Sequence, residues 1–274
     1  MEVIDLPGDQ EQLYFWCLED WSEEMKEAGN RKALWYRKMR DRGLRVKVAV
    51  DDAGRTGGMI HYLPIEHSPA EGEGLYFILC IWVHGYKQGR GNFQGKGLGR
   101  ALLEAAERDA RERGARGMAA WGLVLPFWMK ASWFRKRGYV KADRNGMAAL
   151  VWKPFDFAQG LELVERPFAD GATPPKWIRE RKRPEPVPGK VAVASFANGW
   201  CPAMNLVNER ARRAAAELGD GVAFQEVDTS DRAALLEWGI SDALFVDGKP
   251  VRTGPPPAYE KLRQLLAKKV RKLR

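Results

Sequence analysis

At 274 residues the chain exceeds one typical domain of about 100–200 residues, so two cores are expected. A hydrophobic fraction of 45%, a charged fraction of 30% and a mean hydropathy of -0.44 exclude disordered, collagen-like and membrane-spanning classes. The formal charge of +9 is concentrated: residues 261–274 carry seven bases and no acid, residues 176–190 carry six against Glu180 and Glu185, and the remainder sums to -2. A near-neutral body argues against a nucleic-acid partner, and the basic last helix reads as a solvated face.

In chain order, residues 3–6 read as a short strand, followed by helical patterns over 9–28 and 30–41. Residues 45–52 alternate apolar and charged and read as a strand, paired with residues 59–65 across a Gly57-Gly58 turn. The unbroken apolar run LYFILCIWV at 75–83 suits a strand buried on both faces. A Gly-rich loop leads into a helix over 98–113, with Leu98, Leu102, Ala105, Ala106 and Ala110 on one face. Residues 117–124 read as a strand, 130–137 as a short helix and 147–155 as a final strand, giving an α/β or α+β domain with a mixed sheet. Pro174, Pro175, Pro184, Pro186 and Pro188 then mark a stiff basic linker. The expected division is a domain over 1–165, a linker over 166–189 and a smaller domain over 190–274.

The three cysteines, Cys17, Cys80 and Cys201, are odd in number and widely spaced, so no disulfide framework is expected. His61, His67 and His84 fall in no metal-ligand spacing, and no metal is expected. The N-terminus lacks a basic start and an apolar run, which predicts a cytoplasmic protein.

The loop before the 98–113 helix holds Gln94, Gly95, Lys96, Gly97, Leu98 and Gly99. It fits neither a P-loop nor a dinucleotide GxGxxG, because Arg90, Gly97 and Arg100 stand where those motifs need glycine or a hydroxyl. Glycines without Cβ let backbone amides approach an anion, and the following helix N-terminus adds unpaired N–H groups and a positive dipole end. A pyrophosphate suits this loop, with Lys96 and Arg100 adding charge. The segment resembles the [QR]xxGx[GA] signature of the GNAT N-acetyltransferases, and Trp133 to Tyr139 is similar to that family's late Y-x-x-x-G-F segment. The resemblance covers about residues 1–155. It implies a mixed sheet flanked by helices, acetyl-CoA as cosubstrate and acyl transfer to an amine of a small molecule or peptide. It also implies that the main chain of Ile81, Trp82 and Val83 pairs with pantetheine amides, and that Gln94, Gly95, Lys96, Gly97, Leu98, Gly99 and Arg100 hold the pyrophosphate.

Two departures follow from the residues. Val83 and Gln94 are separated by an extra Gly-, Lys- and Arg-rich loop that covers the cofactor or contacts substrate. The family's proton-donating tyrosine falls on Phe134, and residues 126–137 contain no asparagine, which leaves Ser132, Tyr139, water or no acid at all. The amine must lose a proton, and Glu71, Glu73, Cys80 and His84 are the candidate bases around the 75–83 strand. Trp121, Phe127, Trp128, Trp133 and Phe134 suggest an aromatic acceptor pocket.

Beyond the linker, the order strand, helix, strand, hairpin, helix resembles a thioredoxin-like domain, with Trp200-Cys201-Pro202 opening its first helix. A GNAT module joined to such a domain is similar to the bacterial YoaP-type acetyltransferases. Cys201 at a helix N-terminus is a candidate reactive thiol, but Met204 occupies the resolving position, so the domain serves either monothiol chemistry or docking. The alternative overall reading is a thiol-binding protein whose first domain only senses CoA.

Overall fold

In the computed structural model of the chain, residues 1–125, 129–155 and 172–273 are described. They begin with strand β1 (Glu2–Asp5) and helices α1 (Glu11–Phe15), α2 (Glu23–Glu27) and α3 (Arg31–Arg40). Next come β2 (Arg45–Val50), β3 (Thr56–Pro64), β4 (Ala70–Glu71), β5 (Leu75–Val83), α4 (Leu98–Glu112) and β6 (Gly117–Leu123). Helix α5 (Ala131–Arg135) precedes the hairpin of β7 (Val140–Asn145) and β8 (Ala148–Pro154). The remainder is β9 (Lys176–Trp177), β10 (Val191–Ala197), α6 (Pro202–Leu218), β11 (Val222–Asp228), α7 (Arg232–Trp238), β12 (Ala243–Val246), β13 (Lys249–Val251) and α8 (Tyr259–Val270). The chain divides into two compact units: Met1–Glu19 with Lys38–Trp177, and Asp20–Arg37 with Ile178–Arg274.

The first unit is built on a seven-stranded mixed sheet of order β1-β2-β3-β5-β6-β8-β7. Only β5 and β6 run parallel, joined by α4 as a crossover, while the other neighbours are antiparallel. The apolar run of β5 is buried at Leu75, Phe77, Ile78, Leu79 and Cys80, as a central strand requires. Helix α4 lays Leu98, Leu102, Leu103, Ala106 and Ala110 against the sheet, all at or below 3% exposure. Its polar side buries Asp109, which accepts hydrogen bonds from Tyr62 Oη at 2.7 Å, Arg45 Nε at 3.1 Å and Arg113 Nε at 3.1 Å.

Three sequence expectations change. The helix expected over 9–28 is broken, because Cys17 and Leu18 adopt φ of 52° and 64° between α1 and α2. The β2–β3 turn lies at 51–55, where Asp51 caps the amides of Ala53 and Arg55, and not at Gly57-Gly58. Those glycines lie within β3: a Cβ at Gly57 would come within 2.2 Å of the Phe93 ring, and one at Gly58 within 3.0 Å of Leu102. Strand β7 is an additional edge strand, paired only with β8 among the sheet's strands.

The second unit holds a four-stranded sheet of order β11-β10-β12-β13, with β10 parallel to β11 and antiparallel to β12. All seven residues of β10 are buried, and α6 and α8 cover the sheet through Val207, Ala211, Ala214, Leu262 and Leu266. Segment Asp20–Arg37 belongs to this unit and not, as expected from the sequence, to the first domain. The cause is electrostatic and steric. Arg210 on α6, 6% exposed, donates to Glu27 at 2.7 Å and to Glu24 at 2.9 Å on α2, while the backbone at Gly199 closes on Trp35. The described part of the expected linker is packed too. Within the first unit, β9 pairs with β4, and Trp177 meets Phe77 at 6.2 Å; within the second, Lys182 lies 4.0 Å over the Trp238 ring. Residues 166–171 of that expected linker lie outside the described residues.

Candidate active site

The site begins as a fork in the first unit's sheet. On one edge β5 pairs with β3 as far as Gly58↔Val83, but on the other its ladder with β6 stops at Ile78↔Ala120. Leu79 is the unmatched residue of a bulge opposite His61 and Tyr62, and its carbonyl accepts a hydrogen bond from Trp121 Nε1 at 2.8 Å. Beyond that point the main chain of Ile81, Trp82 and Val83 has no ladder partner on the β6 side and so offers strand-edge donors and acceptors to a ligand.

The N-terminus of α4 faces the same opening. Gly95 and Gly97 adopt φ of 77° and 85°, and Gly97 is the helix N-cap. A Cβ at either would meet nothing within 4 Å, so both border open space. A cavity of about 540 Å³ joins this loop to the strand edge. Ile81, Trp82, Val83, Gln94, Gly95, Gly97, Leu98, Gly99 and Arg100 line it. Lys96 is not in the lining; its ammonium sits 5.3 Å over the Phe93 ring.

Phe93, Met129, Lys130, Trp133, Phe134 and Arg137 complete the wall, and sequence reasoning had not assigned them to the cofactor. Of these, Trp133, Phe134 and Arg137 fall in the late segment singled out in the sequence, where a four-residue spacing brings Trp133 and Arg137 together at a helix end. The Arg137 guanidinium lies 3.8 Å over the Trp133 ring. The Trp82 indole nitrogen is buried without a hydrogen-bond partner among the described residues.

The inserted loop at 85–93 is a clip folded against β3. His84 is fully buried; its Nδ1–H donates to the Gly91 carbonyl at 2.8 Å, and its amide donates to Gly57 O at 3.0 Å. Phe93 N donates to His84 O at 2.8 Å and Arg90 Nε to Thr56 O at 2.9 Å, which presses the Phe93 ring onto Gly57.

Residues 10–126 match the model of the Acetyltransferase (GNAT) family. The chain carries a GNAT acetyltransferase domain. Similar solved structures include the PaiA N-acetyltransferase of Thermoplasma acidophilum in complex with coenzyme A, at 17% identity over 56% of this chain and 98% of that one, TM-score 0.41. Aminoglycoside 6'-acetyltransferase type Ii is similar at 16% identity over 61% and 100%, TM-score 0.42. A GNAT acetyltransferase of Staphylococcus aureus Mu50 is similar at 10% identity over 56% and 98%, TM-score 0.42. No curated protein matches the sequence.

Acetyl-CoA is the cosubstrate of the GNAT family, and the residues of this domain fit it. The open glycine cradle at the α4 N-terminus suits a pyrophosphate, and the unpaired edge of β5 suits the amides of the pantetheine arm. The candidate catalytic groups of the GNAT domain are dispersed. Both glutamates are exposed, Glu71 at the end of β4 and Glu73 in the turn before β5, and Glu73 lies roughly 26 Å along the chain from Ile81 at ~3.3 Å per residue. That distance removes Glu73 as a base. His84 is engaged in holding the 85–93 loop. Cys80 is buried in β5, in register with His61, whose Nδ1 meets Tyr14 Oη at 3.1 Å. Ser132 and Tyr139 line a different cavity, of about 510 Å³, with Lys136 and Lys141. Burial, with the neighbouring Glu107 carboxylate second, pushes the Tyr139 phenol well above its ordinary pKa. Phe134, at the position of the family's tyrosine, is fully buried and carries no proton to give. Phe127 and Trp128 lie outside the described residues, while Trp133 and Phe134 border the cofactor cavity and not a separate pocket. Cys201 stands in the second unit as the half-buried N-cap of α6.

Proposed function

We propose that the protein transfers an acetyl group from acetyl-CoA to an amine of a small molecule or peptide. The observation that carries this reading is the single cavity joining the unpaired end of β5 to the glycine N-terminus of α4. When bound, the cosubstrate supplies an acetyl thioester whose carbon forms a bond to the amine nitrogen as its C–S bond breaks. The amides around Gly95 and Gly97 hold the pyrophosphate, and the main chain of Ile81, Trp82 and Val83 orients the arm beside the fork that Trp121 fixes.

Side chains alternate along β5, so Cys80 and Trp82 face away from the α4 side, where Val83 approaches Gly58 and Gly99. That opposite face is the acceptor side in our reading. Trp82 meets Tyr86 at 6.3 Å between ring centroids, and Tyr86 is 45% exposed. Burial of part of its ring, and then the Glu19 carboxylate, raise the Tyr86 phenol above its ordinary pKa. Glu19 follows the left-handed turn at Cys17 and Leu18, the kind of backbone that marks functional loops. We assign Glu19 to the ammonium form of the acceptor: it binds the cation and accepts its proton before attack. The leaving thiolate takes its proton from water, since Phe134 cannot supply one.

Calorimetry with acetyl-CoA and a thiol-release assay over a panel of primary amines test the reading. Binding with amine-dependent thiol release is expected, and failure to bind acetyl-CoA would sink it. Glu19→Gln should lower kcat/KM for the amine by about 10²-fold with acetyl-CoA affinity unchanged; wild-type turnover in this variant would remove Glu19 from the role. For the second unit, the order β11-β10-β12-β13 with a parallel β10–β11 pair supports a thioredoxin-like module, and its combination with a GNAT module is the basis of the YoaP-type reading.

A further inference from the structure

Arg137 is poorly compensated for a partly buried cation. Its one hydrogen bond among the described residues runs from Nη1 to the Trp133 carbonyl at 2.7 Å, and its Nε is buried without a partner. No carboxylate pairs with it among the described residues. Desolvation, and next the positive charge of Arg100, lower its pKa; Glu104, bonded to Arg100, offsets only part of this, so two guanidinium groups lie within electrostatic range of each other incompletely compensated. Stacking at 3.8 Å on the Trp133 ring holds the group in place. Such an arrangement is costly as architecture alone, because an unpaired buried donor and a like-charge pair both disfavour folding.

The surroundings show what would relieve it. Arg100 and Arg137 border the 540 Å³ cavity and also a neighbouring one of about 390 Å³, which continues along α4 past Leu103 to Glu107. Lys136 and Lys153 line that second cavity, and its two acids are already engaged: Glu104 by Arg100 at 2.7 Å and Glu107 by Lys153 at 2.8 Å. The pyrophosphate has its own cradle at Gly95 and Gly97. A cationic pocket lies about one or two helical turns further along α4, at ~1.5 Å per residue.

We propose that Arg137, with Arg100 and Lys136, binds the ribose phosphate monoester of coenzyme A and makes the protein discriminate CoA from dephospho-CoA. The proposal rests on the coenzyme reading above. A phosphate monoester is a dianion one sugar removed from the pyrophosphate, and a planar guanidinium donates to it through two N–H groups at once. Binding it sets an anion against the cationic wall that Arg100 and Arg137 share. Arg137 acts here in binding and takes no part in the acyl transfer.

The test is calorimetry of full-length wild type and Arg137→Gln with CoA and with dephospho-CoA. The wild type is expected to bind CoA at least about tenfold more tightly, the value of one charged hydrogen bond. In Arg137→Gln that ratio should fall to within about twofold, with the loss falling mainly on CoA. A thermal unfolding transition that matches the wild type certifies the fold. Should the Gln variant not fold, Arg137→Lys gives the same readout, with a ratio below that of the wild type. An equal affinity of the wild type for both ligands, an unchanged ratio in the variant, or an equal loss for both ligands would overturn the subsite. Failure of the wild type to bind either ligand would instead overturn the coenzyme reading, and the subsite with it.

Discussion

Gly97→Glu should abolish acetyl-CoA binding, raising Kd by at least about 10²-fold, equivalent to ~2.7 kcal/mol. Two effects combine. At φ 85° any L side chain is strained, at a cost of about 1–3 kcal/mol. The larger effect is charge: a Cβ at Gly97 meets no atom within 4 Å, so the new carboxylate occupies the open cradle itself. There the helix N-terminus stabilises it as it would stabilise the pyrophosphate, and the two anions exclude each other. Gly97→Ala separates the effects, because it carries the strain without the charge and should weaken binding by no more than about tenfold. Titration calorimetry of both variants checks this. Equal affinities for Gly97→Glu and wild type would show that the α4 N-terminus does not hold the cosubstrate.

Asp109→Asn should lower Tm by about 5–10 °C, corresponding to roughly 2–3 kcal/mol in a unit of this size. Asp109 is 8% exposed and is shared by Arg45, Tyr62 and Arg113. Asparagine keeps the shape but takes the counter-charge from Arg113 and leaves Arg45 with Asp5 alone; removing one member of a fully buried pair costs about 3–5 kcal/mol, and the retained Asp5 contact and the partial exposure of both arginines reduce that figure. The pH dependence has a definite sign. Burial pushes the Asp109 carboxyl up, but the hydrogen bonds from Arg45, Tyr62 and Arg113 outweigh it and hold its pKa at about 2, against 3.8 for the unperturbed group. A depressed folded-state pKa contributes stability that is complete above 3.8 and is lost as pH falls toward 2. The Tm difference between wild type and Asp109→Asn should therefore narrow over that interval. A difference that stays constant down to pH 2 would contradict the charge network as its cause.

Local patterns made much of the GNAT domain legible. The apolar run of β5 and the one-sided apolar face of α4 are statements about burial, written at a spacing the backbone enforces. The glycines at 95 and 97 are equally local, since the left-handed turn and the close approach of an anion need a missing Cβ at those positions. Non-local causes were not legible. Gly57 and Gly58 resembled a hairpin turn, but their reason is Phe93 and Leu102, 36 and 44 positions further along the chain. Cys17 and Leu18 carry no local sign of a left-handed conformation, so the break they make in the expected 9–28 helix was not legible. Segment Asp20–Arg37 joined the second unit because Arg210, far along the chain, holds Glu24 and Glu27.

The groups considered for proton transfer divide in the same way. Glu73 is close in sequence to the cofactor strand and distant along it, whereas Glu19, the base we propose, lies far away in sequence and within electrostatic range of Tyr86. By itself the sequence determined that one strand is buried on both faces, that a glycine loop opens the following helix, and therefore that a phosphate-bearing ligand can sit between them. The tertiary structure alone decided where the β5–β6 ladder stops, which face of β5 is left for an acceptor, and that Arg137 stands over Trp133 beside the cradle. The physical reason is range: helix and strand periodicity and glycine geometry act between neighbours along the chain, while ladder ends, buried charges and cavity walls depend on residues that meet only when the chain has folded.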